Sequence, residues 1–292
     1  MNSFPTGNEA IISNQFIKEL KLIEKSLLAE SFTRLQFPSV VENILSNKTL
    51  SFSRKDFFKD FLKFKSLPLQ HYQPSQFGAF NATLFRNDQF TIQIYLMDGE
   101  STELHRHSFF GFNLYLEGSS VEFCFTKAND KRVAKNVFEA DYKIESSSLY
   151  SPSQGRKIDP SLIHQVHRLS GQTTVLMFMH NDFIQRTTEL FCPPYYIKNA
   201  QLTDLDWRKM LLLLNAVDEK KTSVFLKDFS TDKLILFQGR YASLRSFNQR
   251  SSLISASNLF ENELKKRGVN IKAFKIWLNQ FEKLRKKLDC LK

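Results

Sequence analysis

The stretch GESTELHRHSFFGFNLYLEG, Gly99 to Gly118, sets His105 and His107 two residues apart between three glycines. In an extended strand, residues i and i+2 project to one face, so both imidazoles can reach a single ion. A third ligand must come from a neighbouring strand. The stretch IDPSLIHQVHRLS, Ile158 to Ser170, offers His164 and His167. Their odd spacing puts them on opposite faces, and the distance from Pro160 favours His164. Three neutral imidazoles with open positions opposite them suit a transition metal that also takes small ligands.

Composition limits what surrounds this motif. The chain has 292 residues, 42% hydrophobic and 24% charged, an ordinary globular balance with room for a core domain and an appendage. Its 29 Phe predict Phe-rich cores. No apolar run approaches the roughly 18 residues of a membrane span. The start, MNSFPTGNEAIISNQF, lacks a basic segment followed by an apolar block, so the expectation is a cytoplasmic protein. Cys124, Cys192 and Cys290 show no CxxC spacing, which argues for a reducing compartment without a disulfide framework or zinc ribbon.

The period of the apolar residues divides the chain into three regions. Ile17, Leu20, Ile23 and Leu27, then Phe57, Phe58, Phe61 and Leu62, recur at helical spacing, with Ser53 as N-cap of the second run. From about Phe77 the period becomes two. Phe90, Ile92, Ile94 and Leu96 alternate with Thr91, Gln93, Tyr95 and Met97, and Asp98-Gly99 is a turn. Leu104 to Leu116 is expected to continue as strand, Gly118-Ser119 to turn, and short strands to recur through Val175–His180. After Cys192-Pro193-Pro194 the texture becomes helical, with the run Met210 to Leu214. Ile271, Phe274, Leu278, Phe281, Leu284 and Leu288 form one apolar stripe. The expected domains are residues 1–76 (helical), 77–198 (β-barrel) and 199–292 (basic helical). The net charge of +11 is concentrated at the end: residues 201–292 hold nineteen Lys and Arg against ten Asp and Glu. A basic appendage can meet nucleic acid, an acidic membrane or an acidic partner; a solvated helix surface, with a homodimer or protein contact, accounts for the charge better than nucleic acid.

The motif spacing resembles the cupin superfamily. Its first motif is G-x5-H-x-H-x3,4-E-x6-G, and Gly99, His105, His107, Gly111 and Gly118 match it, with Gly111 in the Glu position. The second, G-x5-P-x-G-x2-H-x3-N, is followed by Gly155, Pro160 and His164 with two one-residue contractions and no Asn. The resemblance implies an α+β fold: a cupin-type antiparallel β-barrel with N-terminal helices and a C-terminal helical domain. Loss of the Glu makes the chain similar to thiol dioxygenases, such as cysteine and 3-mercaptopropionate dioxygenases, which use three His. LFRNDQFTIQIYLMDGESTELHRH also looks like that group's arrangement, in which Arg86 would bind a substrate carboxylate. The group's Ser-x-His-x-Tyr is replaced by Phe178, His180 and Asp182, so only the His remains, as a candidate catalytic acid or base.

The resemblance therefore implies a mononuclear non-haem iron(II) oxygenase. His105, His107 and His164 would hold Fe(II), dioxygen would be co-substrate, and the substrate would be small, anionic and thiol- or amine-bearing. Imidazole equally suits Zn, Ni or Cu. Tyr95 and Tyr115 are candidate substrate-binding residues, and Asn113 and Cys124 are further candidates to line the barrel. His167 reads as surface or supporting residue and His71 as loop. Two alternatives stand beside the oxygenase: a non-catalytic metal- or ligand-binding cupin with a basic interaction domain, and a different metallocupin reaction such as isomerisation or carbon–carbon cleavage.

Overall fold

The computed structural model describes residues 15–46, 48, 50–61, 79–97, 102, 104–182, 189–198, 226–227, 229–236, 238 and 251–289. The expected turn at Asp98-Gly99, the run Met210 to Leu214, His71 and both expected domain boundaries lie outside these residues. Among the described residues no helix is long and apolar enough to cross a membrane.

Three helices come first: α1 (Gln15–Ala29), α2 (Phe37–Ser46) and α3 (Arg54–Phe61). In α1 the buried residues Phe16, Ile17, Leu20, Ile23 and Leu27 follow the helical period. Pro38 sits in the first turn of α2, where its missing N–H costs nothing. Ser53 caps α3 as expected: its hydroxyl accepts the Asp56 N–H at 3.3 Å. Arg54 then holds α3 to the sheet, donating to Glu117 at 3.1 Å and to Thr174 at 3.1 Å.

The strands are β1 (Ala79–Arg86), β2 (Phe90–Met97), β3 (Gly111–Glu117), β4 (Ser120–Ala134), β5 (Val137–Tyr150), β6 (Gly155–Ile158), β7 (Ile163–Arg168), β8 (Thr173–His180), β9 (Glu189–Cys192) and β10 (Tyr195–Lys198). They form two five-stranded sheets, ordered β1-β2-β8-β3-β6 and β7-β4-β5-β10-β9. The architecture is α+β, two five-stranded sheets with helices.

Register in the first sheet assigns its two faces. Ile92 and Ile94 pair with Phe178 and Leu176, which pair in turn with Phe112 and Leu114. These six residues belong to one core with α1, α2 and α3, and that core is Phe-rich as composition predicts: Phe16, Phe37, Phe57, Phe85 and Phe90 are all buried in it. The opposite face carries Thr91, Gln93 and Tyr95 against Met179, Met177 and Val175, and these again against Gly111, Asn113 and Tyr115. This second face lines the barrel interior, where Tyr95 packs on Phe109, Ile158, Met177 and Met179.

Two expectations about strands are corrected. Leu104 to Phe110 is not strand; β3 begins only at Gly111. The backbone of this segment pairs elsewhere: His105 makes an isolated bridge to His164 on β7. After Cys192-Pro193-Pro194 the chain does not turn helical at once. It makes the β9–β10 hairpin, with Tyr195 opposite Cys192 across the proline turn.

The chain divides into two compact units, Met1–Cys124 with Ser146–Arg186, and Phe125–Glu145 with Thr187–Leu291. The outer part of the β4–β5 hairpin and strands β9 and β10 go with the C-terminal residues, because Val137, Tyr195 and Ile197 bury their side chains with Leu226, Phe260, Leu264, Ile271 and Phe274. Those residues come partly from α4 (Ser251–Lys266) and α5 (Ile271–Asp289). The Tyr195 hydroxyl accepts the Asn270 N–H at 2.8 Å at the start of α5. The beginning of the expected apolar stripe, Ile271 and Phe274, is therefore core of this second unit.

One buried acid makes the first unit sensitive to pH. Glu24 is only 6% exposed on the inner side of α1. Burial raises its pKa from 4.5 to about 7, against the pull of Lys21 and Lys25. Between these values the folded chain keeps a proton that the unfolded chain releases, so stability falls as pH rises through that window. Glu24→Gln should raise the thermal midpoint at pH 8 by the equivalent of about 1–3 kcal/mol and have a much smaller effect at pH 5. Calorimetric melts at the two pH values check this, and equal effects would contradict it.

Candidate metal centre

The segment before β3 reaches its place by bonding to β7. His105 N–H donates to His164 O at 2.9 Å and His164 N–H to His105 O at 2.8 Å, an isolated antiparallel bridge. Three further bonds extend it: Thr102 N–H to Val166 O at 2.8 Å, Val166 N–H to the Thr102 hydroxyl at 2.9 Å, and the Gln165 amide to Thr102 O at 2.9 Å. His105 and His107 are thus held by a loop sewn to β7, where sequence spacing predicts a common strand.

The result gathers the three expected histidines. One ligand nitrogen from each of His105, His107 and His164 lies within 4.8 Å of the others. The His105 ring centroid is 4.1 Å from that of His164 and 5.0 Å from that of His107, and the His107 ring packs on Phe109 at 4.9 Å. Nε2 of His107 and Nε2 of His164 face each other at 3.1 Å. Burial, reinforced by His105 and Arg156, holds the pKa values of His107 and His164 well below the ordinary imidazole value. Both rings are therefore neutral at pH 7, the state in which imidazole binds metal.

Two residues that sequence reasoning missed stand behind His164. Glu122 on β4 is 1% exposed, and its carboxylate contacts both His164 Nδ1 and the guanidinium of Arg156 on β6. Arg156 Nη1 is 3.0 Å from His164 Nδ1. A neutral His164 that donates Nδ1–H to Glu122 keeps the lone pair of Nε2 on the side of His107. This is the arrangement in which a carboxylate fixes the tautomer and direction of a metal-binding imidazole. The donor set thus fits a metal ion: three neutral nitrogens converge, and the other nitrogen of one ring is already committed. Alternation along β4 could have placed Glu122 with Ser120 and Cys124, but nothing in β4 alone signals a buried carboxylate.

The remaining expected site residues are distributed as follows. Tyr95 and Tyr115 are on the interior face. The Tyr95 hydroxyl donates to Gln93 at 2.8 Å, and burial raises its pKa. Tyr115 stacks on Tyr150 at 5.4 Å, and burial pushes its pKa up to about 12. Arg86 ends β1 opposite Thr91, which places it on the interior side of the register. Asn113 lines the same face. His167 is 1% exposed and alternates away from His164 along β7. His180 is not brought to the cluster. It pairs with Phe90 on the helix-covered face, and its ring lies 5.5 Å from that of Phe37 and 6.1 Å from that of Phe32. Cys124 is a free thiol.

Gly111 leaves no room for a carboxylate ligand at its own position. A Cβ at this position would run into the carbonyl oxygen of Phe178 and lie 3.0 Å from the Phe109 ring. The close β3–β8 approach leaves no space for a side chain there.

No protein-family model matches the sequence, and no curated protein matches it. Among solved structures, a cupin superfamily protein from Desulfitobacterium hafniense is similar at 17% identity and a TM-score of 0.24, covering 40% of this chain and 97% of that one. Hydroquinone 1,2-dioxygenase from a Sphingomonas species is similar at 7% identity and a TM-score of 0.27, covering 34% of this chain and 64% of that one. Bacillus subtilis oxalate decarboxylase, a protein with Mn(II) centres, is similar at 11% identity and a TM-score of 0.28, covering 39% of this chain and 28% of that one.

Two substitutions test this geometry. Gly111→Glu, which restores the motif's acid, should destabilise the fold by about 1–3 kcal/mol through overpacking and should add no metal affinity. A thermal melt and a zinc titration read the two effects. Glu122→Gln should weaken metal binding about 10–100-fold. Unchanged affinity in a folded Glu122→Gln protein would remove Glu122 from the site.

Proposed function

We propose that this chain is a mononuclear metal-dependent oxygenase of the cupin type that acts on a small anionic, thiol- or amine-bearing molecule. The observation that carries the reading is the convergence of His105, His107 and His164 within 4.8 Å, with no Asp, Glu or Cys joining them among the described residues. A metal bound there would supply Lewis acidity and, as iron(II), access to redox chemistry with dioxygen; zinc, nickel and copper suit the same ligands.

The protein's own part is positional. Neutral His107 and His164 present lone pairs, and Glu122 holds the His164 ring in one orientation. Phe109, Ile158, Met177 and Met179 make an apolar wall beside His107 that excludes water. Tyr95 and Tyr115 keep their protons at neutral pH because burial disfavours phenolate, so they meet a ligand as neutral hydrogen-bonding groups. Arg86 is an additional candidate for an anionic substrate at the end of β1.

A second reading is a non-catalytic metal- or ligand-binding protein. It is favoured by His180, which packs among phenylalanines away from the histidine cluster and leaves that cluster without the acid–base residue the resemblance implies. On either reading the Lys-rich C-terminal helices would meet a second copy of the chain or a protein partner.

Elemental analysis should find about one divalent ion per chain in the wild type, because three imidazoles make one centre. His107→Ala and His164→Ala should lose it, and His167→Ala should keep most of it. Iron-loaded wild type should consume oxygen in the presence of small thiol- or amino-carboxylates, and His107→Ala should not. Metal retention without oxygen consumption would select the second reading, and equal metal content in wild type and His107→Ala would end both metal readings.

A further inference from the structure

The helix-covered face of the first sheet holds a cavity that the histidine cluster does not use. It lies at the end of α2, where that helix packs on β3 and β6, and its volume is about 160 Å³. All of its lining residues belong to the first unit. Leu45, Leu50, Phe112, Leu114 and Leu116 make its walls apolar, and each belongs to or packs against the Phe-rich core. Glu42, Ser46, Lys48 and Ser153 also line it. Glu42, Ser46 and Ser153 are exposed, so the polar groups mark the mouth. One wall is the turn before β6, which is pinned to β3: Ser153 N–H donates to Tyr115 O at 2.8 Å, and Tyr115 N–H to Gln154 O at 2.9 Å. Strand parity separates this cavity from the histidines. Phe112, Leu114 and Gly155 line it, whereas Asn113 and Arg156 beside them pair on the other face, where Arg156 meets His164.

The apolar walls and the charged mouth together define an occupant. The walls offer water none of the two to four polar partners that an ordered water needs. An apolar cavity of about 150 Å³ takes up one benzene ring, so this one holds a single ring rather than an extended chain. The charge at the mouth is one-sided. Glu42 is already engaged, with its Oε2 at 2.8 Å from Lys157 Nζ. Lys48 is partly buried and has no acidic partner among the described residues. From these observations we infer that the cavity binds a small aromatic carboxylate, its ring against the leucines and Phe112 and its carboxylate on the Lys48 ammonium. A carboxylate only accepts hydrogen bonds and an ammonium only donates them, so the two are complementary. The Ser153 hydroxyl is a further donor at the same mouth. A cationic ligand would be repelled by Lys48, while the acid that could attract it is taken by Lys157. The site lies across the sheet from the proposed oxygenase chemistry and stands whether or not a metal occupies the histidines.

Nuclear magnetic resonance of metal-free protein labelled in its leucine methyls tests this with three probes: benzoate, benzamide, which lacks the charge, and acetate, which lacks the ring. Benzoate should shift the methyls of Leu45, Leu50, Leu114 and Leu116 and should bind about tenfold more tightly than either of the others. Lys48→Gln should bring benzoate and benzamide to nearly equal affinity, and Lys48→Arg should keep the preference. Ser46→Phe, at the exposed end of α2, should fill the mouth and abolish binding of both aromatic probes. His107→Ala should leave the titration unchanged. Silence of these four leucines towards benzoate would overturn the inference. So would equal affinity of the wild type for benzoate and benzamide, or a preference for benzoate that survives in Lys48→Gln. Benzoate binding that disappears in His107→Ala would place the ligand on the histidines and would overturn it as well.

Discussion

The pair of backbone hydrogen bonds between His105 and His164 is the constraint on which the site depends. A loop bearing two ligands has no rigidity of its own, and its backbone groups must be paired once they are buried. Bonding to β7 satisfies them and fixes the distance between the first and third ligands in one step. The side chain of Thr102 and the amide of Gln165 extend the seam, so His107, two residues beyond the bridge, is reached from an anchored point. The third ligand is then braced from behind by Glu122 and Arg156. A buried carboxylate without partners would be costly; here it is held by a guanidinium and an imidazole from two other strands.

The first sheet separates structural from chemical roles by strand parity. Its phenylalanine-rich face is closed by the three N-terminal helices, and its other face carries Thr, Gln, Asn, Tyr and Met. His180 shows how sharp the division is. One pleat position places it among Phe32, Phe37 and Phe90, whereas Met179 next to it lines the interior. A histidine in the right sequence frame is therefore on the wrong side of the sheet for the ligands.

Much of this was legible in the sequence, and the failures have physical reasons. Strand β2 was readable because one face is aliphatic and the other is not. Ser53 was readable because capping is local. His105, His107 and His164 were readable from spacing, although the premise of a shared strand face was not how the chain brings them together. Spacing misplaces the start of β3, because His105 bridges to His164 on β7, a strand far along the chain. Glu122 and Arg156 were missed because each is explained only by the other and by His164, from three different strands. The prolines after Cys192 read as the start of helical texture, yet they form the turn of the β9–β10 hairpin. Burial of Val137, Tyr195 and Ile197 with the C-terminal helices could not be seen from any one segment.

The division into two units has a spectroscopic consequence. Of the chain's two tryptophans, Trp277 lies on α5 in the second unit, and the sequence segments of the first unit contain none. The phenylalanine core under α1 to α3 is nearly silent in fluorescence. Denaturation followed by tryptophan emission therefore reports on the unit built around α4 and α5. The unit that contains the histidines is visible instead through tyrosines such as Tyr95, Tyr115 and Tyr150, in near-ultraviolet absorption or circular dichroism. Where two compact units unfold separately, the two signals will not coincide, and a single emission midpoint would not describe the unit that holds the histidines.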